Sequence, residues 1–337
     1  MYRSDNQVFN NTLCAIFLLF FVCISSAYSQ ALSGVSPTLN IGGFTQITSA
    51  KSDNSKAFVF GFDRVRLHTK GTFNSYVDYK LMVDFIKTAK DTDKDGDTPA
   101  IIKDALVIFK PFKKVKLCIG KFKTPIGMEF NVPGKDLDFV KRGLVHSFVF
   151  ERNMGMMVQT IGLGWKGLGF ALGVFNYGPN KANEIGDPVT GNDYTFAGKM
   201  SYDIAKLFHL EISAGSASTS VKNQENVNLF DIGASYAPGK ISFKGEYIKR
   251  KDRDNGKVDG SDFYIQSGFL INPHFEPIIK YESMNIAFDN MDRTDVTFGL
   301  NYFVNPGKHR ETKVIFNYVS SSLESFDSIQ LMFQFAY

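Results

Sequence analysis

Apolar and polar residues alternate without a break at the end of the chain. From Ser328 to Tyr337, Ile329, Leu331, Phe333, Phe335 and Tyr337 fall on one face of an extended segment, and Gln330 and Gln334 fall on the other. The same period recurs upstream. Val77, Tyr79, Leu81, Val83 and Phe85 oppose Asp78, Lys80, Met82 and Asp84; Val65 and Leu67 oppose Arg64, Arg66 and His68; Phe196, Met200 and Tyr202 oppose Lys199 and Asp203. About sixteen such strands are predicted, near Leu39, Phe60, Val77, Ile102, Val115, Met156, Phe170, Phe196, Leu210, Phe230, Ile241, Tyr264, Ile279, Val296, Val314 and Ile329. No helical period competes over any long stretch. A soluble β-sandwich can also end on an amphipathic strand, so the pattern alone leaves open which solvent the apolar face meets.

The connections narrow that choice. Short turn-like links near Gly71, Pro111, Gly164, Asp203, Pro238-Gly239, Asn272-Pro273 and Asn305-Pro306-Gly307 interleave with longer polar links near Asp93, Lys135, Asn183, Asn223, Asp254, Asn290 and Glu324. Transmembrane β-barrels place tight turns on one side of the membrane and longer loops on the other, which gives an even strand count. The expected fold is therefore all-β, a transmembrane antiparallel barrel of about 16 strands, with fourteen and eighteen as the neighbouring even counts. A barrel of that size is too wide for side chains to fill and keeps an aqueous lumen.

The N-terminus agrees with export. Leu13 to Ile24 is an apolar run too short to span a bilayer, and Ala27 and Ser29 stand at the −3 and −1 positions of a cleavage site before Gln30. The predicted organisation is a signal peptide over residues 1–29 and one barrel domain over 30–337. Past that cleavage only Cys118 remains, so disulfides do not hold the fold. The 33 Phe, 14 Tyr and 29 Gly are dispersed, with no further apolar block of membrane-helix length. A net charge of +4 is too mild to argue for nucleic acid as a partner, so any charge selectivity must be local.

The longest connection runs from about Lys123 to Arg152. It carries Lys135, Lys141, Arg142, His146 and Arg152 among Phe130, Phe139, Phe148 and Phe150. A solvated surface loop has little use for so many phenylalanines, whereas a loop folded into the lumen would bury them and set the narrowest aperture. Cationic groups there would concentrate anions. Two acidic and basic stretches read more plainly. Asp91 to Asp97 has oxygen ligands at alternate positions and Gly at the sixth, as an EF-hand loop does, but Ile102 stands where its bidentate Glu belongs, so a solvated hairpin tip is expected. Lys249 to Asp254 reads as a solvated external loop.

The run Gly120-Lys121-Phe122-Lys123-Thr124-Pro125-Ile126-Gly127-Met128-Glu129 resembles a recognisable segment of the phosphate-selective porin O and P family. Arg64-Val65-Arg66-Leu67, Asp78-Tyr79-Lys80-Leu81, Asp104-Ala105 and Glu151-Arg152 support it, and the resemblance extends from about Gly42 to Tyr177. It implies a sixteen-stranded channel in the outer membrane of a Gram-negative bacterium, usually trimeric, with basic residues leading to a constriction at the inward loop. By position, Arg64, Arg66, Lys80, Lys121, Lys123, Lys141, Arg142 and Arg152 are the candidates for lining that constriction. Asp78, Asp84, Asp104, Glu129, Glu246, Glu276 and Glu282 are expected in the same lumen, so the field is of mixed sign.

The expected function is diffusion of small hydrophilic solutes and ions through a water-filled pore, with a preference for anions and phosphate among them. Phe335 and Tyr337 are the candidate signal for the barrel insertion machinery. Outer-membrane lipid and two further copies of the chain are the other expected partners, and no cofactor or metal is expected. The alternatives are a non-conducting barrel acting as an adhesin or structural protein, and a barrel hydrolase. The five histidines, His68, His146, His209, His274 and His309, lie on different predicted elements with no catalytic spacing, which argues against an enzyme.

Overall fold

The computed structural model describes residues 37–52, 57–86, 101–162, 166–176, 194–205, 207–218, 226–254, 259–286, 291–306 and 311–337. Its strands are β1 (Asn40–Ser52), β2 (Val59–Asn74), β3 (Val77–Asp84), β4 (Ile102–Phe112), β5 (Val115–Lys123), β6 (Arg152–Ile161), β7 (Leu168–Asn176) and β8 (Tyr194–Ile204). There follow β9 (Phe208–Ser218), β10 (Val227–Tyr236), β11 (Ile241–Asp252), β12 (Gly260–Phe269), β13 (Phe275–Ile286), β14 (Met291–Phe303), β15 (Lys313–Ser321) and β16 (Ser328–Ala336). Each pairs antiparallel with its sequence neighbours, and β1 pairs with β16 to close a sixteen-stranded barrel. Closure leaves no strand edge unpaired. At the seam Phe44 stands opposite Ala336 and Ser52 opposite Ser328, and the ladder runs on to the last residue, where Tyr337 and Gly43 exchange backbone hydrogen bonds of 3.0 and 2.8 Å.

The two faces separate as the alternation requires. On β16, Phe333 and Phe335 are 52% and 58% exposed, whereas Met332 and Gln334 between them are buried. On β3, Leu81 is exposed and Asp84 buried. Outward side chains are therefore large and apolar over the whole circumference, a surface that water would penalise and hydrocarbon accepts.

Some connections differ from expectation. Gly71, Pro111 and Asp203 lie inside β2, β4 and β8, and the turns come later, at Ser75-Tyr76, at Lys113-Lys114 and at Ala205 and Leu207. Gly71 serves a close approach, because a Cβ there would stand 1.9 Å from the Thr38 carbonyl oxygen. Pro111 sits where the β4–β5 ladder slips between Phe109 and Phe112, a place that needs no donated N–H. Lys249, Arg250, Lys251 and Asp252 continue β11 instead of forming a loop, paired with Phe230, Leu229, Asn228 and Val227. The N-terminal segment, the Asp91–Asp97 loop, and the links near Gly164, Asn183, Asn223 and Asn290 lie outside the described residues.

Candidate functional site

Between β5 and β6 the chain leaves the wall and crosses the lumen over residues 124–151. Gly120 and Gly127 make the departure possible. At Gly120, φ is +134° and a Cβ would stand 2.1 Å from the Ala105 carbonyl oxygen; at Gly127, φ is +85° and a Cβ would meet a Val149 methyl at 2.7 Å. Both conformations exclude L side chains at little cost to glycine alone. The loop's two ends are pinched together, with Thr124 N–H donating to Glu151 O at 3.2 Å and the Thr124 hydroxyl donating to Phe150 O. A single helical turn, α1 (Met128–Asn131), starts directly after Gly127.

The loop phenylalanines are buried, as their density predicts. Ile126, Phe130, Val145, Phe148, Val149 and Phe150 pack with wall residues including Cys118, Phe122, Phe175, Leu229, Ile248 and Tyr264. Phe130 also receives two cations, with Lys123 Nζ 4.8 Å and the Arg142 guanidinium 5.8 Å from its ring centroid.

Polar anchors hold the loop main chain through both its N–H and its carbonyl groups. Loop N–H groups find acceptors on β11 to β15: Glu129 N–H donates to Glu246 at 2.8 Å, Leu144 N–H to Glu282 at 3.0 Å and Val140 N–H to Asn317 at 2.8 Å. Loop carbonyls find donors on β1, β15 and β16. Gln46 donates to Gly134 O at 3.1 Å, Gln334 to Lys135 O at 3.0 Å and Lys313 to Leu137 O at 2.6 Å. Glu129 is the brace of the loop itself: its Oε2 accepts the Gly143 N–H at 2.7 Å and its carbonyl accepts from Arg142. Burial pushes the Glu129 carboxyl above the ordinary carboxylate range. Burial also pushes the Arg142 guanidinium down to about 10, against the pull of Glu129, and it stays charged at neutral pH.

The candidate cations fall into three groups. Arg66, Lys80, Lys123 and Arg152 line one cavity of about 310 Å³ between β1–β6 and the loop, together with Lys135. Arg66 donates to Asp84 at 2.8 Å, and Lys80 and Arg152 share Asp104 at 2.6 and 2.7 Å. Arg64 lies beneath the loop at Gly134, donating to Gln46 at 2.6 Å, with Asp63 at 2.7 Å. Lys141 reaches Asp63, and Arg142 is turned into the loop, donating to the Glu129 and Val132 carbonyls. Lys121 is apart from all of these. Its ladder partners are Ala105 and Met154, and Met154 is exposed on the outside of the barrel, so the register sets Lys121 on the outward face. The Gly120–Glu129 run reads as one luminal motif only if its strand parity is ignored.

Gln46, Gln334, Asp63, Lys280 and Asn317 carry no motif that a sequence reading could single out. Asp63 is the residue the β1–β2 ladder skips between Phe62 and Arg64, and the signal of the others is only inward parity on strands distant in sequence. Lys280 is fully enclosed, 2.7 Å from Glu282 and 4.9 Å from the Phe139 ring centroid.

The sequence profile described as phosphate-selective porin O and P matches residues 38–272, well over half of the chain. The chain belongs to this family. A member of the phosphate-selective porin O and P family is an outer-membrane β-barrel channel, and the closed barrel with its inward loop agrees. Solved porins share the fold at low identity. The anion-selective porin from Comamonas acidovorans superposes with a TM-score of 0.66 at 12% identity, over 90% of this chain and 100% of that one. Salmonella typhi OmpF, solved in complex with daunomycin, gives 0.65 at 12% identity over 89% and 97%. The trimer form of OmpT, an outer membrane protein of Vibrio cholerae, gives 0.60 at 12% identity over 90% and 100%. No curated protein sequence matches the chain.

Proposed function

We propose that this porin passes small hydrophilic solutes and ions down their own gradients, prefers anions over cations, and performs no catalysis. The observation that carries this reading is the cavity between β1–β6 and the inward loop, where Arg66, Lys80, Lys135 and Arg152 outnumber their carboxylate partners Asp84, Asp104 and Asp136. A cleft with an excess of one sign of charge and low-dielectric walls raises the local concentration of counter-ions. Phosphate is among the anions such a field would admit. The similarity to the Comamonas acidovorans anion-selective porin supports the same preference, and the trimer form of the Vibrio cholerae protein supports assembly as a homotrimer. In this reading residues 1–29 are a signal removed on export, residues 30–337 form the barrel, and the exposed Phe335 and Tyr337 are the tag for the insertion machinery of a Gram-negative outer membrane.

Reversal potentials in a salt gradient across a planar bilayer test the preference. The wild-type channel should favour anions, and Arg64→Gln with Arg66→Gln should reduce the shift by roughly half or more, since guanidiniums near an aperture dominate its field. A cation-selective wild-type channel would refute the proposal.

A further inference from the structure

The β3–β6 wall of the lumen is unlike the rest of it. Elsewhere inward apolar residues such as Phe175, Leu229, Ile248 and Tyr264 are buried in the core beneath the inward loop, and β14 turns Asp295, Thr297 and Asn301 inward. On β3 to β6 an apolar band of Met82, Leu106, Ile108, Cys118 and Met157 instead lines an open cavity. Cys118 and Met157 are buried against the loop core. Leu106 and Ile108 pack against that core with one side only, and with Met82 they are half-buried and open onto the 310 Å³ cavity. Apolar surface held against channel water is unfavourable by about 25 cal/mol per Å², and a solute that covers it recovers that free energy.

The cations stand next to this band. Lys80 is opposite Leu106 in the β3–β4 ladder, and Asp104, which holds both Lys80 and Arg152, precedes Leu106 by two residues on the same face. Two residues of strand span about 7 Å, so a charged head at Lys80 and Arg152 places an attached ring or short alkyl body over Leu106 and Ile108. The cavity volume suits a molecule of that size. The second luminal cavity, on the β9–β12 side of the loop, offers no such match. Its lining includes the carboxylates Glu129, Asp138 and Glu211.

We propose that the β1–β6 compartment is a binding site for amphiphilic organic monocarboxylates, aromatic or short-chain aliphatic, whose carboxylate meets Lys80, Arg152 and Arg66 and whose apolar body covers Leu106, Ile108 and Met82. The proposal rests on the anion-preferring channel argued above. It makes inorganic phosphate a passing ion and not the best ligand of this compartment.

Block of chloride current through the full-length channel tests it, with benzoate, acetate and inorganic phosphate as the probes. Benzoate should half-block at about a tenfold lower concentration than acetate or phosphate, equivalent to about 1.4 kcal/mol. The double variant Leu106→Gln, Ile108→Gln should remove that advantage while leaving chloride conductance and anion selectivity in place. If this variant fails to give channels, the single Met82→Gln channel is measured instead and should lose part of the advantage. An anion-selective channel blocked equally by the three probes, or best by phosphate, overturns the proposal and leaves the porin reading standing. A cation-selective channel removes the reading on which it rests.

Discussion

The two sides of the lumen hold the inward loop by opposite means. On the β11–β15 side, Glu246, Glu282 and Asn317 accept main-chain N–H groups from buried positions. On the β1–β6 side buried Gln46 also holds the loop, at Gly134 O, but the ion pairs stay partly open to the channel, as between Lys141 and Asp63, where Lys141 is 55% exposed. Buried hydrogen bonds to carboxylates lose a full desolvation cost when one partner is removed, whereas exposed ion pairs are screened and cheap to break. One side therefore fixes the loop, and the other leaves charge available to solutes.

The largest test of that division removes the buried brace. Glu129→Ala should destabilise the folded barrel by about 2–4 kcal/mol, because the buried Gly143 N–H loses its acceptor and the loop loses the side chain that braces it. Thermal unfolding in detergent measures the first effect. Larger and noisier single-channel currents, from a loosened loop, would report the second. Unchanged stability and quiet currents would mean that the wall, not Glu129, holds the loop.

An intermediate effect comes from pH, and its two causes have opposite signs. The raised Glu129 carboxyl favours the folded loop while protonated, so its contribution is present at low pH and is lost as pH rises above about 4.3 through the raised value. His146 behaves in reverse. Burial pushes its imidazole down to about 4, so the fold loses stability as pH falls from about 6.5 toward that value. In Glu129→Gln channels only the acid-side loosening should survive; in His146→Gln channels only the alkaline-side loosening should. Current noise recorded from pH 4 to 9 separates the two, and parallel profiles for both variants would contradict the assignment.

The smallest effect belongs to the open side. Lys141→Ala breaks a contact to Asp63 that is exposed at the lysine end, and its cost should stay under about 1 kcal/mol. A loss as great as that of Glu129→Ala would erase the distinction between the two sides.

The strands were legible because one rule governs them: a lipid-out, water-in wall imposes a period of two at every turn of the barrel. Where that rule met residues with a second meaning, it failed. Gly71 reads as a turn and serves a close backbone approach, and Lys249–Asp252 reads as loop because charged residues also continue a strand past the apolar zone. The inward course of residues 124–151 was legible from Phe130, Phe139, Phe148 and Phe150, which demand burial. Its landing points were not. Glu129 and Glu246 are 117 positions apart, and Val140 and Asn317 are 177 apart, so no local pattern can pair them. Lys121 shows the same limit at short range, since a recognisable run of residues says nothing about which side of the sheet each one takes.

The seam between β1 and β16 is fastened to the inward loop. Gln46 and Gln334 face each other across it, joined by a 2.7 Å side-chain hydrogen bond, and each also donates to the inward loop, at Gly134 and Lys135. The loop is thus a clasp laid across the inside of the closing joint. Any free energy that tightens the joint tightens the loop by the same amount, and the reverse, because both draw on the same two amides. The width of the passage and the integrity of the cylinder are then one equilibrium, and a mutation far from the aperture that weakens the joint alters what the channel lets through.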